Sequence, residues 1–393
     1  MIRHLFKLMW NRKRSNFLMI VEIFFSFLVL FGVSCLLLNF YANSKLPLGY
    51  QYENVWMLTT YAHDTPDAEK RARMSQLMKR LDAFPQIEHA ALASNNGPYS
   101  NSMSVTNLKL DNKKKDANII TVQDNAFYDA MSLTLVSGRW FNDQDEASHR
   151  NPVVITQDVA DYFFGQEPAV GKTIQHGDTE KTVVGVVSAY KPSGEMGRFA
   201  SSYFERTSLN DTTARVQDAV YLKIKPGTSP QFEEEILEAA SSIGTGWTIN
   251  LRQMKDMRSS YLKQILVPMV ILAIVCAFLI LNVALGLFGV LWHSINKRHS
   301  EIGLRRAIGA TGGDVYRQFI GEILVVATFG LMLGSFFAVQ FPLLDLIEDF
   351  RTEIYIQAIV VSVLLIYALV ILCALYPSRQ AATIHPAIAL HED

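Results

Sequence analysis

Cysteine is scarce: the chain has three in 393 residues, Cys35, Cys276 and Cys373, and each lies inside a long apolar run. The roughly 220 residues between the first two of those runs contain none, so no disulfide framework holds that stretch. It must stand on its own core, and its length is sufficient for one. Charge is thin as well, at 19% of residues with a formal net charge of -1. A chain without basic excess offers nothing global to nucleic acid. Neither HExxH nor GxSxG occurs, and the nine histidines are scattered, which removes the common metalloprotease and serine-hydrolase signatures. No low-complexity tract or short tandem repeat is present.

One stretch imitates a nucleotide site. GQEPAVGKT, residues 165–173, places Gln166, Glu167, Pro168, Ala169 and Val170 between its first glycine and the Gly-Lys pair. A phosphate-binding P-loop has one residue fewer there, and Pro168 stiffens a backbone that would have to curl around phosphate. The stretch reads as a turn between a helix and a strand, and the chain reads as having no ATPase of its own. Asp143, Asp145 and Glu146 read as a solvated acidic turn. No metal, cofactor or catalytic residue is assigned, and the chain reads as a non-enzyme.

What the sequence does have is segregated apolarity. Residues 17–40 carry one charge, Glu22, while 265–292, 323–344 and 354–376 carry none. About 20 apolar residues cross a bilayer, so four transmembrane helices are expected. The first run is about twice a signal h-region and has no clean small-residue cleavage site after it, so it reads as a retained helix. Lysine and arginine in the short flanks set orientation. Arg3, Lys7, Arg12, Lys13 and Arg14 precede the first run, and Lys297, Arg298, Arg305, Arg306 and Arg317 follow the second. The loop after the third carries Arg351 against Asp345, Glu348, Asp349 and Glu353. Both termini and the basic stretch are therefore expected in the cytoplasm.

The expected layout is a cytoplasmic N-terminus over 1–16, a first span over 17–40 and an extracytoplasmic domain over 41–263. A second span covers 264–292, a cytoplasmic segment 293–319 and a third span 320–344. An outside loop over 345–353, a fourth span over 354–376 and a cytoplasmic tail over 377–393 complete the chain.

Within the large domain, ENVWMLTT reads as a strand. Ala68, Ala72, Met74, Leu77, Met78, Leu81 and Phe84 then share one face of a helix, and HAALAS follows as a second strand. Much later, AVYLKIKPG, SPQFEEEILEAASSI and WTINLRQM repeat the order strand, helix, strand. The expectation is an α/β membrane protein, one span plus three, whose α+β domain is a split βαβ sandwich with an inserted β-rich subdomain over about 105–191. Residues 192–216 read as a loop.

Between the second and third spans lies HSINKRHSEIGLRRAIGATGGDVYRQFIGE. A short helix ends at Gly309, with Arg305 and Arg306 in its last turn, and Thr311 with Asp314 forms a capping box for the next. Basic residues alone would only mark topology and touch anionic lipid. Two helix signals around a glycine hinge, with Ala307, Gly309, Ala310, Gly312 and Gly313 adjacent, suit an elbow that docks into a partner's groove. Inside the first span, Glu22 has two readings: pairing at the interface with Arg14, Lys297 or Arg298, or a coupling-ion site. Gly330 and Gly334 form a GxxxG that permits close helix approach.

The segment EIGLRRAIGAT resembles the cytoplasmic signature of the MacB/FtsX-type ABC transporter permeases, of the kind R-x-x-E-I-G-x-x-R-A-x-G-A. Arg298, Glu301, Ile302, Gly303, Arg306, Ala307, Gly309 and Ala310 match it. Pro377, Ala381 and Pro386-Ala387 resemble the family's ending, and SGRWF, VVITQDVADYFFG, AVGKTI and TVVGVV its periplasmic core domain. The resemblance implies a permease in a bacterial inner membrane, paired with a second permease subunit as a homo- or heterodimer. It implies separate ATPase subunits that carry ATP and Mg, and a coupling role for the matched residues together with Arg305. Motion would pass to the periplasmic domain (mechanotransmission) for export or extraction of a substrate, with membrane lipid and a periplasmic adaptor or substrate protein as further partners. A second reading transmits force to activate a periplasmic cell-wall hydrolase, and a third is an unrelated receptor or adhesin.

Overall fold

The computed structural model describes residues 13–100, 102–147, 151–197, 201–344 and 351–383. The expectations for residues 1–12, for most of the 345–353 loop and for Pro386-Ala387 lie outside the described residues. Two compact units form: a helical one from Met1–Ala42 and Leu266–Asp393, and a globular one from Asn43–Ile265.

Helix α1 runs Lys13–Ser44, followed by β1 (Val55–Tyr61), α2 (Asp67–Asp82) and β2 (Ile87–Ala93). Then come β3 (Val105–Leu110), β4 (Lys113–Val122), α3 (Phe127–Met131), β5 (Leu135–Gly138), β6 (Pro152–Thr156) and α4 (Gln157–Phe164). Strands β7 (Thr173–His176), β8 (Thr179–Val187) and β9 (Ser202–Arg206) precede β10 (Ala219–Ile224), α5 (Phe232–Ile243) and β11 (Thr248–Gln253). Four helices close the chain: α6 (Met254–Asn296), α7 (His299–Ala307), α8 (Gly312–Leu343) and α9 (Thr352–Thr383).

The two strand–helix–strand halves interleave. Strand order is β11-β1-β10-β2, and β1 pairs antiparallel with both β10 and β11 while β10 pairs antiparallel with β2. The strands of each half therefore run parallel, separated by a strand of the other half, which is the split βαβ arrangement. Alternation along the strands feeds two cores. Trp56, Leu58 and Leu222 pack with Met74, Leu77 and Leu81 of α2 and Phe232 and Ile236 of α5. On the opposite face Met57, Ala91 and Tyr221 pack with Phe127 and Met131 of α3.

In the inserted subdomain the order β4-β3-β7-β8-β6-β9 closes on itself, because β9 also pairs with β4. That closure corrects the expectation for 192–216, where β9 supplies a barrel strand rather than loop. Tyr203 packs beside α4 while Phe204 turns to the central core, but a strand of five residues is too short to show a period in sequence. Asp145 is a second correction. It is buried, accepts two bonds from Arg139 at 2.6 and 2.7 Å and one from the Asn142 amide, instead of facing water.

The P-loop imitation is a turn. Gly165 and Gly171 take left-handed backbone at φ +62° and +88°, Ala169 is buried, and Lys172 pairs with Glu167.

After β8 the chain buries a lysine completely, with Lys191 at 0% exposure. Its Nζ donates to the Asn43 carbonyl at 2.8 Å and the Glu195 carbonyl at 2.9 Å. Asn43 lies in the last turn of α1, where carbonyls lack helical partners and a cation is favoured. Desolvation pulls the Lys191 ammonium below the ordinary lysine value, and nearby Glu195 opposes that. Tyr50 donates its hydroxyl to the Lys191 carbonyl at 3.0 Å, and Glu195 pairs with Arg258 near the start of α6.

At about 1.5 Å per residue, the 43 residues of α6 make a helix of about 65 Å, roughly twice the hydrocarbon thickness. Its first residues, Met254 and Met257, belong to the globular core, so the helix starts about ten residues before the apolar run.

Lys191→Met removes the ammonium donor from the Asn43 and Glu195 carbonyls. It is expected to destabilise the globular unit by about 2–4 kcal/mol, seen as earlier proteolysis of the full chain in a urea series. Exposed Lys225→Met is expected to change that midpoint little.

Candidate functional site: the elbow between the second and third spans

The four apolar helices pack around Ile23, Phe27, Phe31, Leu287, Ala327, Ala358 and Ile366, and each has the length and composition to cross a membrane. The GxxxG of α8 meets α1. A Cβ on Gly330 would come within 2.8 Å of Ile23 Cγ2, and one on Gly334 would collide with the Phe27 ring. Ile23 and Phe27, themselves four apart, thus occupy the notch left by the two glycines. This is close helix packing within one chain. Glu22 points elsewhere: its carboxylate sits where a side chain on Gly286 of α6 would be. Lys297 and Arg298 do not reach it, and among the described residues it has no ion-pair partner.

At the end of α6 the chain turns into the short α7, then reverses into α8. The reversal follows the expected caps. Gly309 takes φ +106°, the Gly309 and Ala310 amides donate to the Arg306 and Arg305 carbonyls, each at 3.1 Å, and Thr311 with Asp314 completes a capping box. Under the turn lies a small core of Ile295, Ile302, Val315, Phe319 and Ala381.

Arg298 is buried at 4% exposure, with its guanidinium 5.4 Å from the centre of the Phe319 ring. It donates to Glu322 Oε2 at 2.8 Å and Glu301 Oε2 at 3.2 Å. Gln318 donates to the other Glu322 oxygen at 2.9 Å, and Arg305 donates to Gln318 Oε1 at 2.7 Å. Arg305 returns to Glu301 at 2.7 Å. The five side chains close a ring of hydrogen bonds that ties α7 to the start of α8. Arg306 leaves the ring and donates to the Ala382 carbonyl of α9 at 2.8 Å, so the elbow is fastened on both sides.

The expected coupling residues therefore divide. Arg298, Ile302 and Gly303 are inside. Glu301, Arg305 and Arg306 are half-buried and bonded within the chain, and Ala310 is half-buried. Ala307 and Gly309 are exposed. Beside them stand two residues to which the sequence assigned no coupling role, Leu304 at 51% and Ile308 at 79% exposure. Leu304, Ala307 and Ile308 fall on one stripe of α7 and its end, opposite buried Ile302. The available signal was an i, i+4 apolar pair on a helix whose other apolar face was already needed for its own core.

Two family models match most of the chain. A MacB-like periplasmic core domain model matches residues 17–239, and an FtsX-like permease C-terminal model matches residues 255–386. This chain belongs to the MacB/FtsX family of ABC transporter permeases. It is 28% identical over 299 residues to the macrolide export ATP-binding/permease protein MacB of Pasteurella multocida. It is 25% identical over 282 residues to the protein of that name from Neisseria gonorrhoeae. These alignments take in 73% and 68% of this chain but 44% and 42% of the relatives, so the chain spans less than half their length. Among solved structures, the periplasmic region of MacB from Actinobacillus actinomycetemcomitans aligns at TM-score 0.40 and 17% identity, covering 54% of this chain and 94% of that one. The extracellular domain of the noncanonic ABC-type transporter YknZ from Gram-positive bacteria aligns at 0.36 and 15%, covering 51% and 100%. In this member of the MacB/FtsX family, most signature residues build the elbow itself.

Arg298→Ala is expected to loosen the elbow by about 3–5 kcal/mol, because Glu322 is left facing a desolvated gap. Faster amide exchange across residues 299–318 in the full chain measures it. A double Arg298→Met, Glu322→Met variant is expected to recover most of the protection.

Proposed function

We propose that the chain is the permease subunit of an ABC transporter in a bacterial cytoplasmic membrane. Both termini and the elbow face the cytoplasm and the globular unit faces the periplasm. The flanking lysines and arginines support that orientation. ATP and Mg belong to ATPase subunits on a separate chain, and the permease works as a dimer with a second permease subunit. The elbow is the coupling element. Its exposed Leu304–Ile308 stripe enters an apolar groove of the ATPase, and motion passes through the spans to the periplasmic domain for export or extraction of a substrate.

The observation that carries this reading is an exposed apolar pair on a small, internally cross-braced unit. A flexible loop would absorb a push, whereas a unit braced to α8 by a bonded ring and to α9 by Arg306 passes it on. Exposed apolar side chains beside a glycine turn also allow close approach of the partner.

The chain purified from its native membrane is expected to bring down an ABC ATPase subunit and ATP hydrolysis with it. Leu304→Asp and Ile308→Asp are each expected to cut that recovery about tenfold or more while amide protection of the elbow stays intact. Recovery of the ATPase at wild-type level by both variants would overturn the coupling role.

A further inference from the structure

The globular unit contains a cleft of about 300 Å³ on the sheet face opposite α2 and α5. That size is at the lower end of small-ligand sites. Register places its polar wall: Met57 stands opposite Arg252, and Thr59 opposite Asn250, so all four share one face of β1 and β11. The first turns of α6 close the other side through Met257, Ser260, Tyr261 and Gln264, and the segment after β2 contributes Tyr99. Met57, Tyr99 and Met257 line its floor and are each 4% exposed, packed into the core beneath it.

The charge at this cleft is one-sided. Among the described residues that line it, Arg252 is the one charged residue, and none is an aspartate or glutamate. Among the described residues Arg252 has no ion-pair partner, unlike its helical neighbour Arg258, which is paired with Glu195 and stacked 4.8 Å from the Tyr52 ring. A guanidinium stays protonated and presents a planar fork suited to a carboxylate. Asn250 and Gln264 add amide donors and acceptors around it. In addition, β11 is the edge of its sheet and, among the described residues, pairs with β1 alone, so its outer backbone groups are open to an amide of a bound chain.

We propose that this cleft binds the carboxyl end of a peptide whose last side chain is apolar. The carboxylate lies on Arg252, the side chain lies over the surface of Met57, Tyr99 and Tyr261, and the preceding amide bonds to Asn250 or the β11 edge. Nothing in the coupling role of the elbow requires this site. Calling the peptide cargo rests on the permease reading, while the binding does not.

The test uses the full chain in lipid nanodiscs without ATP or ATPase, so its failure leaves the coupling role standing. Saturation-transfer NMR compares N-acetyl-L-phenylalanine with N-acetyl-L-phenylalaninamide, which have the same body and differ in the charge. The acid is expected to bind about tenfold tighter than the amide, as a charge-assisted pair would give. Arg252→Gln, an exposed change on an edge strand, is expected to bring the two affinities together, and Arg252→Lys to restore part of the preference. Equal binding of acid and amide to the wild-type chain overturns the proposal, as does absence of both. A preference for the acid that survives in Arg252→Gln overturns it too, because that signal would come from lipid or another site.

Discussion

The ring formed by Arg298, Glu322, Gln318, Arg305 and Glu301 is the interaction on which the elbow depends. A charge taken out of water is costly unless its partners satisfy it from every side. Arg298 meets that condition with two carboxylates and an aromatic face, and each carboxylate is held in turn by a second donor. Such a ring has few alternative arrangements, since moving one member strands another. It therefore fixes the angle at which α7 leaves α8, beyond what a glycine hinge alone could set.

That arrangement separates two roles which the basic character of the segment had merged. Arginines that would mark a cytoplasmic loop, or reach for a partner, are mostly spent inside the chain. The apolar side chains left exposed on α7 and its end are Leu304 and Ile308, held out by the fold beneath them. The same division recurs in the spans. Gly330 and Gly334 use their lack of side chain to admit Ile23 and Phe27, and Gly286 makes room for the Glu22 carboxylate. The globular unit, with no disulfide, depends instead on three apolar clusters and on Lys191, whose ammonium closes the last turn of α1.

Much of the architecture was legible in the residues. Four apolar runs, the repeated strand–helix–strand order and the caps at Gly309 and Thr311 are local signals, and each one is complete within a short window. Strand β9 was not legible, because closing a barrel depends on Val122 and Arg206 meeting across some eighty residues of chain. Asp145 was misjudged for a related reason: its acidic neighbours suggested water, but Arg139 had already claimed it. The exposed apolar face of the elbow was hidden because burial of Ile302 and exposure of Leu304 are decided by α8 and α9, not by α7.

By itself the sequence determined where the four long apolar helices lie, which halves of the domain pair and where the elbow bends. These follow from hydropathy, period and capping, all of them properties of neighbouring residues. Only the tertiary structure decided which arginines are internal, which apolar residues face out and where the Arg252 guanidinium overlooks a cleft. Those outcomes depend on what each side chain meets from distant segments, and a linear pattern does not carry that.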